Sequence, residues 1–405
     1  MRLVRQASVL LLWAALSTSR GLFAQDAEAP AAPSAVAADQ ARVALRPVDL
    51  LYVQPALPRL LPSLATVKAL YVNAWAFGSG KLWQLVRLAD ETEINAFVVD
   101  VKDDTGCLLY PSAVPTAQQI GANQCTRARD ARARLDTLLA HGIYPIARIV
   151  VAKDPLLAER KPQWSVHESD GTLWRDRIGS AWVDAYNDSV WVYAAELAQE
   201  AARMGFAEVQ FDYVRFPDEP WERLSSAIFS ARRPGDSQRT AVHRNIEVLK
   251  SRLAPLGVPV TFDIFGLTAS ATDDMGIGQV WEDFSSVADV VLPMVYPSHY
   301  RAGAYGFAWP NGEPYKIVRR ALQEALGRSG APDAAEIRPY LQAFTLSRRR
   351  PRYTPFEIRE EIRAAEDLGI KSWVLWNPRS VYQRDALRPY PNRVEVVRAS
   401  SAGGE

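Results

Sequence analysis

The chain has 405 residues, of which 48% are hydrophobic and 23% charged, with a formal net charge of +1. That length exceeds what one minimal core needs, and the composition excludes wholesale disorder. The near-zero charge excludes a global field that would steer the protein to nucleic acid or an acidic membrane.

The N-terminus reads as an export signal over residues 1–24. Arg2 and Arg5 form a basic start, Val9 to Leu16 is an apolar run too short to span a bilayer, and Ala24 is a small residue of the kind a cleavage site uses. An uncleaved anchor is the alternative; after cleavage no membrane insertion is expected. Export predicts a periplasmic or extracellular location, where Cys107 and Cys125, 18 residues apart, can close one loop as a disulfide. Two buried free thiols are the other option. Residues 25–45 are rich in Ala, Pro, Asp and Glu and read as a disordered linker. Residues 46–67 carry several prolines and read as an extended segment wrapped on a domain that covers 68–390, with 391–405 as a tail.

Within 68–390 strand and helix patterns alternate. Strands are predicted at Lys68 to Ala76, Ile94 to Asp103, Tyr144 to Asp154, Glu208 to Pro217, Val258 to Gly266, Asp289 to Ser298, Ile337 to Thr345 and Lys371 to Asn377. Helices are predicted between them: Gly80 to Glu93, Arg127 to His141, Asp188 to Met204 with Asp188 as N-cap, Ser237 to Leu253, Gln279 to Ala288, Pro314 to Leu326, and Thr354 to Leu368. Gly142, Gly205 and Gly369 stand where helices stop. Eight such units in one chain predict an α/β fold, a (β/α)8 TIM barrel whose last helix is weak or missing. No GxGxxG or GxxxxGK[ST] follows a strand, so nucleotide binding has no support. Four histidines, His141, His167, His243 and His299, are far apart, and HExxH and CxxC are absent, so neither a His-built zinc site nor a cofactor is expected.

A TIM barrel carries its chemistry at the C-terminal ends of its strands. Those ends supply Trp75; Asp100, Lys102 and Asp103; Arg148 and Asp154; Gln210, Asp212 and Arg215; Asp263; Tyr296 and His299; Gln342; and Trp376 with Asn377. Acids, bases and aromatics on one rim are the kit of glycoside hydrolysis. Asp212 and Gln210 share a face by two-residue alternation, whereas Asp212 and Arg215 point to opposite faces. Asp212 and Asp263 are the candidate catalytic pair. Trp75, Asp100, Lys102, Arg148, Asp154, Trp182, Gln210, Arg215, Tyr296, His299 and Trp376 are candidate glycan-binding residues. Asp100 and Lys102 share a face in this reading and are open to being a simple ion pair.

The phrases INAFVVDVKDDTG, IARIVVAKDP, EVQFDYVRFP, FDIFG, IGQ and PMVYPSHY, in this order, resemble the bacterial "putative glycosyl hydrolase" domain, a family of exported TIM barrels. More distantly the chain is similar to retaining glycosidases of the α-amylase and α-galactosidase type. That resemblance implies a nucleophile at Asp212 and a general acid at Asp263. It implies glycosidase ancestry; for an exported enzyme the expected substrate is a carbohydrate, a polysaccharide or cell-envelope glycan. Two rivals remain: a barrel that binds glycan without cutting it, and a metal-assisted hydrolase built on Asp100, Asp103 and Asp154.

Overall fold

A computed structural model describes residues 64–331, 334–346 and 351–389. The export signal, the linker, the tail and nearly all of the wrapped segment lie outside these residues. Among the described residues nine parallel strands run in chain order: β1 Lys68–Val72, β2 Ala96–Lys102, β3 Tyr144–Val150, β4 Glu208–Asp212, β5 Val260–Phe265, β6 Val290–Met294, β7 Glu336–Ile337, β8 Tyr340–Gln342 and β9 Trp373–Trp376. Each strand from β1 to β6 pairs with the next, β8 pairs with β6 and β9, and β9 returns to β1, closing the sheet into a barrel. The short β7 and β8 both pair with β6 and form one stave, so the barrel has the eight staves that the alternating pattern predicts.

The strands are buried on both faces because helices cover the outside while side chains fill the lumen. In β2, AFVVDVK is buried at every position. Alternate residues divide the core in two. Ala69, Tyr71, Ala96, Val98, Ile146, Leu292, Tyr340 and Val374 pack inside the barrel. Leu70, Val72, Phe97, Val99, Ala147, Phe211 and Phe262 face the helical layer. Near the N-terminal end of the staves, Glu208 and Arg338 form a buried ion pair at 2.7 Å.

The outer helices begin and end where their sequences say. Asp188–Met204 buries Val190, Trp191, Ala194, Leu197, Ala198 and Ala201 against the barrel, and Gly205 stops it with φ of 117°. Its N-cap is Asn187, one residue before the expected Asp188, which instead supplies negative charge to the first turn. Capping boxes open the helices Gln238–Leu253 and Pro355–Glu366. After β9 only a short 3-10 turn, Arg384–Ala386, occurs among the described residues, in line with a missing last helix. No helix among the described residues is long and apolar enough to cross a membrane.

Cys107 and Cys125 are joined by a disulfide, with Cα atoms 5.5 Å apart. It ties the turn after β2 to the segment that precedes the helix Ala131–Ala140. Closing a loop of this size stabilises a fold by about 3 kcal/mol. Reduction, or Cys125→Ser, is expected to lower the unfolding midpoint accordingly, measured by urea titration with and without dithiothreitol.

Candidate active site

Four staves bring charged side chains into the lumen at the C-terminal end of the barrel. β2 carries Asp100, β3 Arg148, β4 Gln210 and Asp212, and β5 Asp263. The register aligns Asp100 with Arg148 and Arg148 with Gln210, so these residues lie side by side across the sheet. Asp212 is the last residue of β4. Its Oδ1 accepts from the N–H of Tyr213 at 2.6 Å. Tyr213 is a non-glycine residue at φ of 56°, a strained conformation at the point where the strand turns away.

Arg148 is the hub. Its Nη1 donates to Asp100 Oδ1 at 2.6 Å, its Nη2 donates to Asp212 Oδ2, and its Nε lies 3.5 Å from Asp263 Oδ2. One guanidinium therefore meets three carboxyl groups, all of them buried. Tyr71 donates its hydroxyl to the other oxygen of Asp100. Gln210 donates to Asp263 Oδ1 at 2.8 Å and to the Tyr340 hydroxyl at 2.6 Å. Asp263 Oδ2 has no hydrogen-bond partner.

One cation does not fully compensate three ionised acids in a buried site. Burial, and then the charge of Asp212, holds the Asp263 carboxyl well above the ordinary carboxylate range, which favours its protonated form. Burial pushes Asp100 up to about 6, against the opposing pull of Arg148 and Tyr71. Burial works against the charge of Arg148, but Asp100 and Asp212 beside it outweigh burial and keep it protonated.

Aromatic rings frame the cluster. Tyr71 stacks on the half-buried Trp376 with centroids 3.8 Å apart, and the Arg148 guanidinium lies 5.1 Å from the Trp376 ring. Opposite, Tyr296 packs edge-on against the exposed His299 and against Phe344, at 5.2 and 5.7 Å. Gln342 accepts from the Ser298 N–H at 3.1 Å and so fixes the loop that carries His299. Tyr71, Tyr340 and Phe344 were not among the candidates. Tyr71 and Tyr340 fall on lumen-facing positions of their strands by the same alternation that selects Gln210, which is the signal that identifies them.

Four candidates lie elsewhere. Lys102 does not share a face with Asp100, because a register shift between them breaks the alternation. Its Nζ turns away to Asp154 Oδ2 at 2.8 Å and to the Val150 carbonyl. Asp154, fully buried, caps the helix Pro155–Arg160 by accepting from the Leu157 N–H at 2.8 Å. Both are structural. A β-carbon on Gly106, at φ of 84°, would come within 2.2 Å of Asp154 Oδ1, so the turn Asp103 to Gly106 needs its glycine. Asp154 is committed to Lys102 and Leu157, Asp103 accepts from Thr105 within the turn, and among the described residues no group of three or more His, Cys, Asp or Glu is placed to hold a metal ion. Trp182 is buried, with Nε1 donating to Asp176 Oδ2 at 3.0 Å, so its face is not free for a sugar. Trp75 lies on the short helix Ala74–Gly78, because Asn73 caps that helix and ends β1 at Val72. It is exposed, with the Arg127 guanidinium 3.8 Å over its ring.

Residues 69–382 match the family described as "Putative glycosyl hydrolase domain". The chain belongs to that family. The match spans every stave of the barrel and every residue of the Arg148 cluster, which puts the cluster inside the shared glycosyl hydrolase domain. A search of curated proteins finds no match. Among solved structures, a hypothetical protein from Ruminiclostridium thermocellum ATCC 27405 is 34% identical, over 51% of this chain and 98% of that one, with a TM-score of 0.43. The PgaB (BpsB) glycoside hydrolase domain from Bordetella bronchiseptica is 14% identical with a TM-score of 0.55, over 80% of this chain and 99% of that one. The chitobiase of Flavobacterium johnsoniae is 13% identical with a TM-score of 0.50, over 85% of this chain and 50% of that one. The last two likenesses show that the family member has the barrel fold of these glycosidases.

Proposed function

We propose that this protein is an exported glycoside hydrolase that cleaves a polysaccharide or cell-envelope glycan with Asp212 as nucleophile and Asp263 as general acid. The observation that carries this reading is the contrast between two carboxyl groups on one guanidinium. Asp212 accepts a direct hydrogen bond from Arg148 and a second from the Tyr213 amide. Burial, and then the charge of Asp212, holds Asp263 well above the ordinary carboxylate range, and its Oδ2 accepts no hydrogen bond. A buried carboxyl with a raised pKa beside a second acid suits the general-acid role.

In the first step Asp212 Oδ attacks the anomeric carbon while the bond to the leaving oxygen breaks and Asp263 delivers its proton to that oxygen. A glycosyl ester on Asp212 results. In the second step Asp263, now a carboxylate, takes a proton from water as that water attacks the same carbon and releases Asp212. Arg148 contacts both acids, which favours the close spacing of roughly 5 to 5.5 Å of a retaining pair over the wider gap that admits a water between them. Asp100 and Tyr71 hold Arg148 from the far side, and Trp376, Tyr296 and His299 line the sugar subsites.

The test is turnover of a glycan library across pH. Because the catalytic form of Asp263 is the protonated one, kcat/KM is expected to fall as pH rises through its elevated pKa. That basic limb lies well above the ordinary carboxylate range. Asp263→Asn is expected to remove the limb along with most activity, about 10²-fold to 10⁴-fold for loss of a general acid. Wild-type activity with a basic limb that Asp263→Asn leaves in place contradicts the assignment. Binding without any turnover favours a glycan-binding barrel.

A further inference from the structure

Beside the carboxyl cluster, on the same face of the barrel, lie two cations that the proposed hydrolysis does not use. Lys153 and Arg215 follow β3 and β4 where the two segments stay joined beyond their ladder: Val151 donates to the Asp212 carbonyl at 2.9 Å and Ala152 to the Tyr213 carbonyl at 3.1 Å. The half-buried Tyr213 ring meets both cations, with the Arg215 guanidinium carbon 4.5 Å and Lys153 Nζ 5.6 Å from its centroid.

Arg215 is 7% exposed. Phe265 and Trp182 also pack on its guanidinium, at 4.6 and 5.3 Å. Its Nη1 donates to the Phe216 carbonyl at 3.1 Å, its Nε is buried without a hydrogen-bond partner, and it has no carboxylate partner among the described residues. Lys153, also 7% exposed, lies 3.6 Å from Asp104 and 3.9 Å from Asp176, beyond hydrogen-bond length. The Asp176 oxygen involved already accepts from Trp182. Burying a guanidinium without a counter-charge is unfavourable, and stacking on rings offsets this in part. What Arg215 lacks is an anion presenting planar oxygens, which a guanidinium binds best, and Lys153, with two long ion pairs, lies on the same Tyr213 ring.

We propose that Lys153 and Arg215 form a subsite for the carboxylate of an acidic sugar, a uronic acid residue of the glycan adjoining the bond that Asp212 attacks. The inference rests on the glycosidase reading for where the glycan lies. It gives a role to the strained backbone of Tyr213, the first of the two residues between Asp212 and Arg215: the turn there sets both the nucleophile and the anion site.

The test is isothermal titration calorimetry of the full chain with oligogalacturonate, oligomannuronate and hyaluronan oligosaccharides. Each is compared with its own methyl ester, which keeps the sugar and removes the charge. At least one acid form is expected to bind about tenfold or more tightly than its ester, the scale of a charge-assisted hydrogen-bonded contact, and to weaken in high salt. Arg215→Met and Lys153→Met should each erase that preference, read as the ratio of acid to ester affinity within each variant. Lys153→Met is the safeguard should the buried Arg215 substitution unfold the protein, which circular dichroism reports. The proposal is overturned if no uronide outbinds its ester, or if the preference survives in folded Lys153→Met. Turnover is read in parallel on the same panel. Hydrolysis of neutral glycans without any acid preference sinks the subsite alone. A preference for uronides without turnover sinks the hydrolase reading alone.

Discussion

Asp212→Asn is expected to abolish glycan cleavage, by ~10⁴-fold or more in kcat as for other deleted nucleophiles, while the protein stays folded. The fold should tolerate the change because Asn keeps the shape and can still accept from the Tyr213 N–H, while Arg148 retains Asp100. What is lost is the charge that attacks the anomeric carbon. In the truncated Asp212→Ala, which does open space beside the anomeric carbon, a small external nucleophile such as azide should restore part of the rate and return a glycosyl azide. An inactive variant that azide rescues identifies a nucleophile; a variant with near-wild-type kcat removes Asp212 from the mechanism.

Arg148→Met is expected to be the most destabilising single change in the site. It withdraws the cation from Asp100, Asp212 and Asp263 at once, leaving buried acids unpaired, and breaking a buried pair in this way costs about 3 to 5 kcal/mol. The loss should depend on pH in a defined direction. Asp100 has its folded pKa raised from 3.8 to about 6, so it favours the folded state fully below the unfolded value and loses that contribution as pH rises through 6. Without Arg148 its folded pKa rises further. The deficit of the variant against wild type should therefore shrink at acid pH, where the acids are protonated, and grow toward neutrality. Urea unfolding of both proteins at pH 5 and pH 7.5 reads this directly. A deficit that is equal at both values contradicts the charge-compensation account.

The barrel was legible because its strands and helices alternate with clear stops, and two-residue periodicity placed Gln210 and Asp212 on one face. The same rule failed two residues from Asp100, where the register shift in β2 sent Lys102 outward; nothing in VDVKDD marks that shift. Asp154 carried a readable signal, an Asp directly before the proline that opens a helix, and its capping role follows from that. Trp75 was misplaced because KALYVNAWA looks like one long strand, although Asn73 is a competent N-cap within it. The hub role of Arg148 was not legible, since it depends on three carboxyls from β2, β4 and β5 meeting one guanidinium. Nor was the raised pKa of Asp263 legible, since it arises from burial and from the charge of Asp212, both set by the closed barrel.

The most direct measurement is covalent trapping. Incubation of the protein with a panel of 2-deoxy-2-fluoroglycosyl fluorides, followed by mass mapping of the digested chain, should give one added sugar on the peptide that contains Glu208 to Glu219, localised to Asp212. A label on any other residue, or no label from a sugar whose natural glycoside the protein hydrolyses, would contradict Asp212 as the nucleophile of a retaining glycosidase.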